Sequence, residues 1–216
     1  MKKGAIFDMD GLLLDTERIY RENWGKAAED FGLTLHPDFL PAICGTNGAS
    51  SEAAIRRYYP EVDPRAFIRA CFARTEAALA QEVPEKPGAR EILAFFRARG
   101  VGRAVASSSG RRLILDNLRH AGLASYFDVV VSGEDVVNGK PAPDIFLLAA
   151  QQLGLAPEDC YVFEDSINGA HAGMAAGCVT VVIPDLIPPT EDLRAGCAGI
   201  YPSLHAAREA IAAGML

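Results

Sequence analysis

Short apolar segments alternate with helical segments over most of this chain. The apolar segments have the length of buried strands and lie at 4–7, 101–106, 129–131, 161–163 and 179–183. The helical segments that follow lie at 89–99, 111–120, 143–153, 167–176 and 204–213. Buried strands separated by helices of about ten residues form a parallel sheet with helices on both faces. The sequence therefore predicts an α/β fold with a Rossmann-like parallel sheet.

A long stretch between residues 16 and 84 interrupts this alternation. Its Ala, Glu, Arg and aromatic residues recur at helical spacing and predict helices at 17–31, 38–43, 51–59 and 64–81, without a strand. A chain of 216 residues has room for one domain with a smaller inserted one. We therefore expect residues 1–15 and 85–216 to form the α/β core, and residues 16–84 to form an inserted helical bundle.

Two aspartates, Asp8 and Asp10, follow the first predicted strand. Side chains two residues apart on a strand point to the same face, so these carboxylates repel each other unless a cation or a shared proton intervenes. Gly11 then allows the backbone to turn sharply or to approach a ligand closely. A plain strand-end turn would also use Asp and Gly. The carboxylate pair favours metal or phosphate chemistry over that alternative.

Polar residues also close two later strands. Ser107, Ser108 and Ser109 follow the strand at 101–106 and precede a helix, an arrangement that suits an anion such as phosphate. Ordinary helix capping by Ser109 is the alternative. Glu164 and Asp165 follow the strand at 161–163, where acidic residues would also suit the first turn of a helix.

Lys140 lies in a segment that two prolines restrict, Pro141 and Pro143. An isolated loop lysine is usually a solvated charge. Ligands of parallel sheets bind at the carboxyl ends of the strands, so we expect this lysine, the serine turn and the two acidic pairs to converge there. Such a cluster of carboxylates needs a divalent cation, and Mg²⁺ suits a site that also holds phosphate.

The composition limits the partners of the chain. Its net charge of −7 argues against a nucleic-acid surface, because clustered Lys and Arg bind phosphate backbones. We expect neither a signal peptide nor a membrane span, because no apolar run is long enough. The five cysteines are scattered and are typical of reduced thiols in a cytoplasmic protein. No coiled-coil pattern is present, and a monomer is the default expectation.

The motifs at the strand ends resemble, in order, those of the haloacid-dehalogenase-like superfamily of phosphohydrolases. Phe7-Asp8-Met9-Asp10-Gly11 matches its first motif, and Ser107 with its apolar lead-in matches the second. Lys140 in Lys-Pro-Ala-Pro-Asp-Ile-Phe matches the third, and Phe163-Glu164-Asp165-Ser166 the fourth. The helical insert is similar to the small cap of the group that contains β-phosphoglucomutase and pseudouridine-5′-phosphatase-like enzymes.

The resemblance implies a phosphatase that hydrolyses a small phosphomonoester, either a sugar phosphate or a nucleotide-like metabolite. Asp8 would be the nucleophile that forms an aspartyl-phosphate, and Asp10 would act as acid and then as base. Ser107, Ser108 and Lys140 would bind the phosphoryl group. Dehalogenating relatives carry no Asp at the position of Asp10, so carbon–halogen chemistry is not expected.

The resemblance also implies a metal site and a substrate-selecting cap. Mg²⁺ would be held by the side chains of Asp8 and Asp165 and by the backbone carbonyl of Asp10, with Glu164 assisting directly or through water. The cap would select the substrate through polar and aromatic residues, namely Glu17, Tyr20, Trp24 and Asn47. Trp24 is also a candidate for the core of the insert.

A β-phosphoglucomutase-like phosphomutase is the nearest alternative. In that enzyme the cap carries a His four residues after the hinge Thr and an Arg in the following loop. This chain has Tyr20 at the first position, counted from Thr16, and no Arg in residues 45–50. A receiver-type signalling domain would phosphorylate an Asp on a later strand and would lack the insert. A non-catalytic metabolite-binding relative would not need the full set of catalytic residues, all of which are present here.

Overall fold

The computed structural model describes residues 1–43 and 48–216. Within these ranges the chain divides into two compact units. The first, called the sheet unit, comprises Met1–Asp15 and Pro84–Leu216, and the second, called the helical unit, comprises Thr16–Val83. Among the described residues, no helix has both the length and the apolar character needed to cross a membrane.

The sheet unit contains a six-stranded parallel sheet with helices between its strands. Its strands are β1 (Gly4–Phe7), β2 (Gly102–Ser107), β3 (Val129–Ser132), β4 (Cys160–Glu164), β5 (Val179–Val182) and β6 (Gly199–Ile200). The helices, numbered along the whole chain after α1 to α4 of the helical unit, are α5 (Ala89–Arg97), α6 (Arg111–His120), α7 (Asp144–Gln152), α8 (Ile167–Ala175), α9 (Glu191–Gly196) and α10 (Leu204–Ala212). The predicted α/β fold class is confirmed.

The order of the strands is β3-β2-β1-β4-β5-β6, so the direction of winding changes at β1. There Phe7 lies opposite Val105 of β2 on one side and opposite Phe163 of β4 on the other. In open α/β sheets the crevice at such a reversal, beyond the carboxyl ends of the strands, is where ligands bind. The residues after β1, β2 and β4 therefore meet at this crevice.

Both faces of the sheet are packed against helices. On one face, Ile6 and Val162 lie in an apolar cluster with Phe146 of α7. On the other face, the ring of Phe7 stacks on Phe163 at 4.7 Å and contacts Phe96 of α5 edge-on. Neighbouring residues of β1 and β4 thus alternate between two buried faces, which explains the apolar runs at 4–7 and 160–163. This core holds the carboxyl ends of β1 and β4 rigidly side by side.

The helical unit is built from α1 (Thr16–Asp30), α2 (Phe39–Ile43), α3 (Gly48–Tyr58) and α4 (Pro64–Leu79). Its core is aromatic, with Trp24 packed edge-on against Phe39 and Phe67. The expectation that Trp24 belongs to the core of the insert is confirmed, since only 6% of the residue is exposed. The predicted helix at 17–31 ends one residue earlier, at Asp30, and Phe31, which follows it, is 37% exposed.

The two connections between the units are paired within the sheet unit. The backbone N–H of Asp15 donates to the carbonyl of Pro84 at 2.8 Å, and that of Lys86 donates to Leu13 at 2.9 Å. Leu14 and Glu85 form an antiparallel bridge between the same segments. The chain therefore leaves the sheet unit and returns to it along two hydrogen-bonded neighbours.

Among the strands and α-helices named above, α9 and β6 were absent from the sequence prediction. β6 is two residues long and pairs with Val181 and Val182 at the edge of the sheet. Such a short strand has no apolar periodicity of its own, and its position depends on the neighbouring β5. The other predicted strands and helices are present, with ends that differ by a few residues at most.

Candidate active site

A buried ammonium group lies between two carboxylates at the carboxyl end of the sheet. Lys140 Nζ donates to Asp8 Oδ1 at 2.5 Å and to Glu164 Oε1 at 2.6 Å, and it also contacts the carbonyl of Ala106 at 3.2 Å. The Lys140 side chain is only 7% exposed, so the alternative of a solvated loop lysine is wrong. The structure thus joins residues from four separate segments at one point.

Asp10 has its own pair of hydrogen-bond donors. Its Oδ2 accepts from Ser107 Oγ at 3.1 Å and from Ser109 Oγ at 2.9 Å. Ser107 Oγ in turn accepts from the backbone N–H of Ser109. The N-cap residue of α6 is Gly110, and the first backbone N–H of the helix, that of Arg111, donates to Glu134 Oε2 at 3.2 Å. The capping alternative for Ser109 is therefore wrong. The serine turn after β2 therefore orients the second aspartate of the first motif.

Glu164 is fully buried, and hydrogen bonds occupy both of its carboxylate oxygens. Oε1 accepts from Lys140, and Oε2 accepts from the backbone N–H groups of Asp165 and Ser166 and from Ser166 Oγ, at 2.9 to 3.0 Å. A Cβ on Gly169 would lie 1.8 Å from Oε1, so only glycine leaves room for this carboxylate. Glu164 is therefore a fixed acceptor that holds Lys140 in place.

Asp165 lies against the turn that follows β1. Gly11 has a φ of 82°, a conformation that side chains other than glycine rarely adopt. A Cβ at this position would lie 2.4 Å from Asp165 Oδ2. Glycine thus lets the backbone after Asp10 approach the second acidic motif closely.

The other predicted site residues are Ser108, Glu17, Tyr20 and Asn47. Ser108 is exposed at the turn after β2, between the two serines that contact Asp10. Glu17 and Tyr20 lie on α1 and are partly buried, and the Tyr20 ring packs edge-on against Phe72 at 5.4 Å. Asn47 lies outside the described residues. Sequence reasoning missed Ser109 as a partner of Asp10, because only the fold brings these two side chains together.

Comparison with known proteins assigns this arrangement to a family. The haloacid dehalogenase-like hydrolase family matches residues 2–177. The chain belongs to this family. Among its relatives, a phosphorylated carbohydrates phosphatase from Thermotoga maritima is 35% identical over 81% of this chain and 82% of its own length. A fructose-1-phosphate phosphatase from Escherichia coli is also 35% identical, over 81% of this chain and 92% of its own.

A solved structure supports the same assignment over the whole length of the chain. A haloacid dehalogenase family hydrolase from Deinococcus radiodurans, with bound phosphate and sodium, has a TM-score of 0.82 at 32% identity. The match covers 99% of this chain and 96% of that protein. The predicted family is confirmed, and the protein is a hydrolase.

The charges in the site of this haloacid dehalogenase-like hydrolase are unbalanced without a metal. Burial raises the pKa of Asp8 to about 8; the Lys140 ammonium opposes this, whereas Glu164 and Asp10 reinforce it. Burial and the carboxylates of Glu164 and Asp8 raise the pKa of Asp165 well above its usual range. Burial alone would lower the pKa of Lys140, but Asp8 and Glu164 raise it above its ordinary value. One ammonium is thus shared by a cluster of carboxylates.

A bound cation would favour the ionised forms of these carboxylates. Among the described residues, no three carboxylate, imidazole or thiol side chains form a ready-made metal cage. Mg²⁺ does not require one, because it commonly takes one or two carboxylates and completes its shell with waters and substrate phosphate. The donor set at the crevice is therefore suited to Mg²⁺ rather than to a metal held by protein ligands alone.

The raised pKa of Asp8 predicts that the metal-free enzyme becomes less stable as pH rises. The folded chain keeps a proton up to about pH 8 that the unfolded chain loses near pH 4. Protonation therefore favours folding, and the free energy of unfolding declines between those values by up to about 1.4 kcal/mol per pH unit. Thermal unfolding in chelator from about pH 5 to pH 8 measures this slope.

The Asp8→Asn variant is the control for this pH dependence. It removes the titrating group, so its melting temperature should fall less steeply with pH than that of the unmodified chain. Equal slopes for the two proteins would contradict the assignment of the raised pKa to Asp8.

Proposed function

We propose that this hydrolase is a Mg²⁺-dependent phosphatase that hydrolyses a small phosphomonoester, a sugar phosphate or a nucleotide-like metabolite. The observation that carries the proposal is the contact of Lys140 with Asp8 at 2.5 Å beside an Asp10 that two serine hydroxyls orient. A carboxylate nucleophile with an adjacent ammonium and a second, separately held carboxylate meets the requirements of covalent phosphoryl transfer.

In the first step, a carboxylate oxygen of Asp8 attacks phosphorus, and the bond from phosphorus to the ester oxygen breaks. Protonated Asp10 gives its proton to that oxygen, so that the product leaves as a neutral alcohol. The phosphoryl group is then bound to Asp8, and Asp10 is ionised. Lys140 balances the charge on the phosphoryl oxygens throughout the step.

In the second step, ionised Asp10 takes a proton from a water molecule whose oxygen attacks phosphorus. The bond from phosphorus to Asp8 breaks, which restores the Asp8 carboxylate and releases inorganic phosphate. Asp10 is again protonated for the next cycle. The hydrogen bonds from Ser107 and Ser109 keep its carboxylate directed for both proton transfers.

The Asp8 and Asp165 side chains and the Asp10 carbonyl are the proposed ligands of Mg²⁺. The metal would neutralise the negative charge of the phosphoryl group and of the surrounding carboxylates. Glu164 is proposed to act indirectly, because both of its oxygens already accept hydrogen bonds. Its role would be to fix the position of Lys140.

Sugar phosphates are the first substrates to test, because the two curated relatives described above act on phosphorylated carbohydrates and on fructose 1-phosphate. A phosphate-release screen with Mg²⁺ over phosphorylated sugars and nucleotide-like metabolites should identify at least one substrate. Chelation should stop the release, and Ca²⁺ should inhibit because it tolerates looser coordination. Equal activity with Ca²⁺ or without a metal would contradict the proposal.

A phosphomutase would return the phosphoryl group to the substrate instead of passing it to water. The sequence differences at Tyr20 and in residues 45–50 favour the phosphatase. Incubation with a hexose 1-phosphate and trace bisphosphate should therefore yield free phosphate. Rapid formation of the 6-phosphate isomer with little free phosphate would favour the mutase instead.

We also propose that the enzyme acts as a cytoplasmic monomer, with neither a nucleic acid nor a membrane as partner. Four cysteines in the described chain, Cys71, Cys160, Cys178 and Cys197, form no disulfide, which suits a reducing compartment. Light scattering on the eluted protein measures the oligomeric state.

A further inference from the structure

A buried carboxylate oxygen lies close to Asp165 without a hydrogen-bond partner. Asp185 follows β5, and within the described part of the chain its Oδ2 is buried and accepts no hydrogen bond. Native proteins leave few buried polar atoms unsatisfied, and an exception calls for a water, an ion or a function. The other oxygen of this carboxylate, Oδ1, accepts from Lys86 Nζ at 2.6 Å.

The unpaired oxygen lies near Asp165, a proposed metal ligand. A Cβ on Gly11 would lie 2.4 Å from Asp165 Oδ2 and 3.4 Å from Asp185 Oδ2. The two carboxylate oxygens are therefore separated by no more than the sum of these distances, which two successive hydrogen bonds to one water would also span. Asp185 Oδ2 is therefore close enough to reach a water that is bound beside Asp165.

Lys86 holds the Asp185 carboxylate through its other oxygen, Oδ1. Its side chain is 20% exposed and also lies 3.6 Å from Asp15 Oδ1. Its backbone N–H donates to Leu13, so this lysine is held on the paired connections rather than on a free loop. Because this ammonium group binds Oδ1, Asp185 Oδ2 is the oxygen of the carboxylate that can accept a hydrogen bond from another donor.

We propose that Asp185 is a positioning residue whose Oδ2 accepts a hydrogen bond from a water in the coordination shell of Mg²⁺, next to Asp165. The inference rests on the proposed function, because it requires the metal there. Carboxylates that accept hydrogen bonds from metal-bound water orient the ligand shell, and removal of such outer partners typically weakens metal binding 10- to 100-fold.

Calorimetric titration with Mg²⁺ tests this role without any substrate. In Asp185→Asn, the amide oxygen must face Lys86, which turns the NH₂ group, a donor, toward the water. We expect the Kd for Mg²⁺ to rise about tenfold or more. The melting temperature of the metal-free protein should change little, whereas the upward shift that Mg²⁺ produces should shrink.

Asp15→Asn is the matched control, because it removes the same charge from beside the same ammonium group. Its Kd for Mg²⁺ should stay within about threefold of the unmodified value, since its carboxylate is not the unpaired one. Equal weakening in both variants would overturn the inference in favour of a general charge effect. An unchanged Kd in Asp185→Asn, with a lowered metal-free melting temperature, would overturn it in favour of a structural ion pair.

Asp185→Ala is the second variant if the amide prevents folding, and it should weaken Mg²⁺ binding to a similar extent. Mg²⁺ binding by the unmodified protein distinguishes a failure of the proposed function from a failure of the role assigned to Asp185. If it bound no Mg²⁺, the proposed function itself would fail. If it bound Mg²⁺ and both Asp185 variants matched it, only the role of Asp185 would be wrong.

Discussion

Replacement of Asp8 by Asn is expected to reduce phosphate release to the background rate. An amide does not attack phosphorus, and it deprives Lys140 of one of the two carboxylates that it contacts. Loss of the nucleophile in an enzyme with a covalent intermediate costs more than about 10⁴-fold in kcat. Steady-state phosphate release with the best substrate from the screen measures the effect.

The fold should survive this replacement, because Asn has nearly the same shape as Asp. Asp159→Asn is the matched control. Asp159 also pairs with a lysine, Lys3 at 2.7 Å, but it directly precedes β4. It therefore lies at the amino ends of the strands, opposite the candidate site. That variant should keep its activity. Appreciable turnover by Asp8→Asn would remove Asp8 from the role of nucleophile.

Replacement of Asp10 by Asn is expected to slow turnover by about 10²- to 10⁴-fold, the usual contribution of a general acid and base. The amide keeps the size of the side chain but does not supply a proton to the leaving oxygen. The loss should be greatest for substrates with a poor, alkoxide-like leaving group. With an aryl phosphate, whose leaving group needs no proton, the first step should be nearly normal, and a burst of phenol should precede slow hydrolysis.

Ser109→Ala provides a graded comparison for this prediction. It removes one of the two hydroxyl groups that donate to Asp10 Oδ2 and leaves the acid itself intact. Its activity should therefore fall less than that of Asp10→Asn. Full activity of Asp10→Asn on an alkyl phosphate would show that another group supplies the proton.

The sequence was sufficient for the α/β fold because local pattern and tertiary packing agree in β1, β2 and β4. Apart from Arg103 and the strand-end residues Ser107 and Glu164, these strands are apolar, because both of their faces are buried. The end of β1 was also readable, because Asp8 and Asp10 interrupt the apolar run. By contrast, β6 consists of Gly199 and Ile200, and only the edge of β5 makes it a strand.

The side-chain contacts inside the candidate site could not be predicted from the sequence to the same extent. Lys86 and Asp185 are 99 positions apart in the chain, and neither belongs to a motif. Nothing in the local sequence distinguishes Ser109 as a cap from Ser109 as a partner of Asp10. Both interactions depend on which strand ends the topology brings together. Motifs identify the residues that carry charge, whereas the fold decides which side chains hold them in position.

The hydrogen bond between Asp15 and Pro84 places the two ends of the inserted helical segment next to each other. Lengthening such an insert adds little to the entropic cost of folding the sheet unit, because the entropy lost on closing a loop grows only slowly with loop length. The helical unit can thus be lengthened, repacked or exchanged without altering the spacing of the strands. The reactive side chains of the proposed site all belong to the sheet unit. The helical unit can therefore diverge in evolution, or be redesigned, while the chemistry of the sheet unit is preserved.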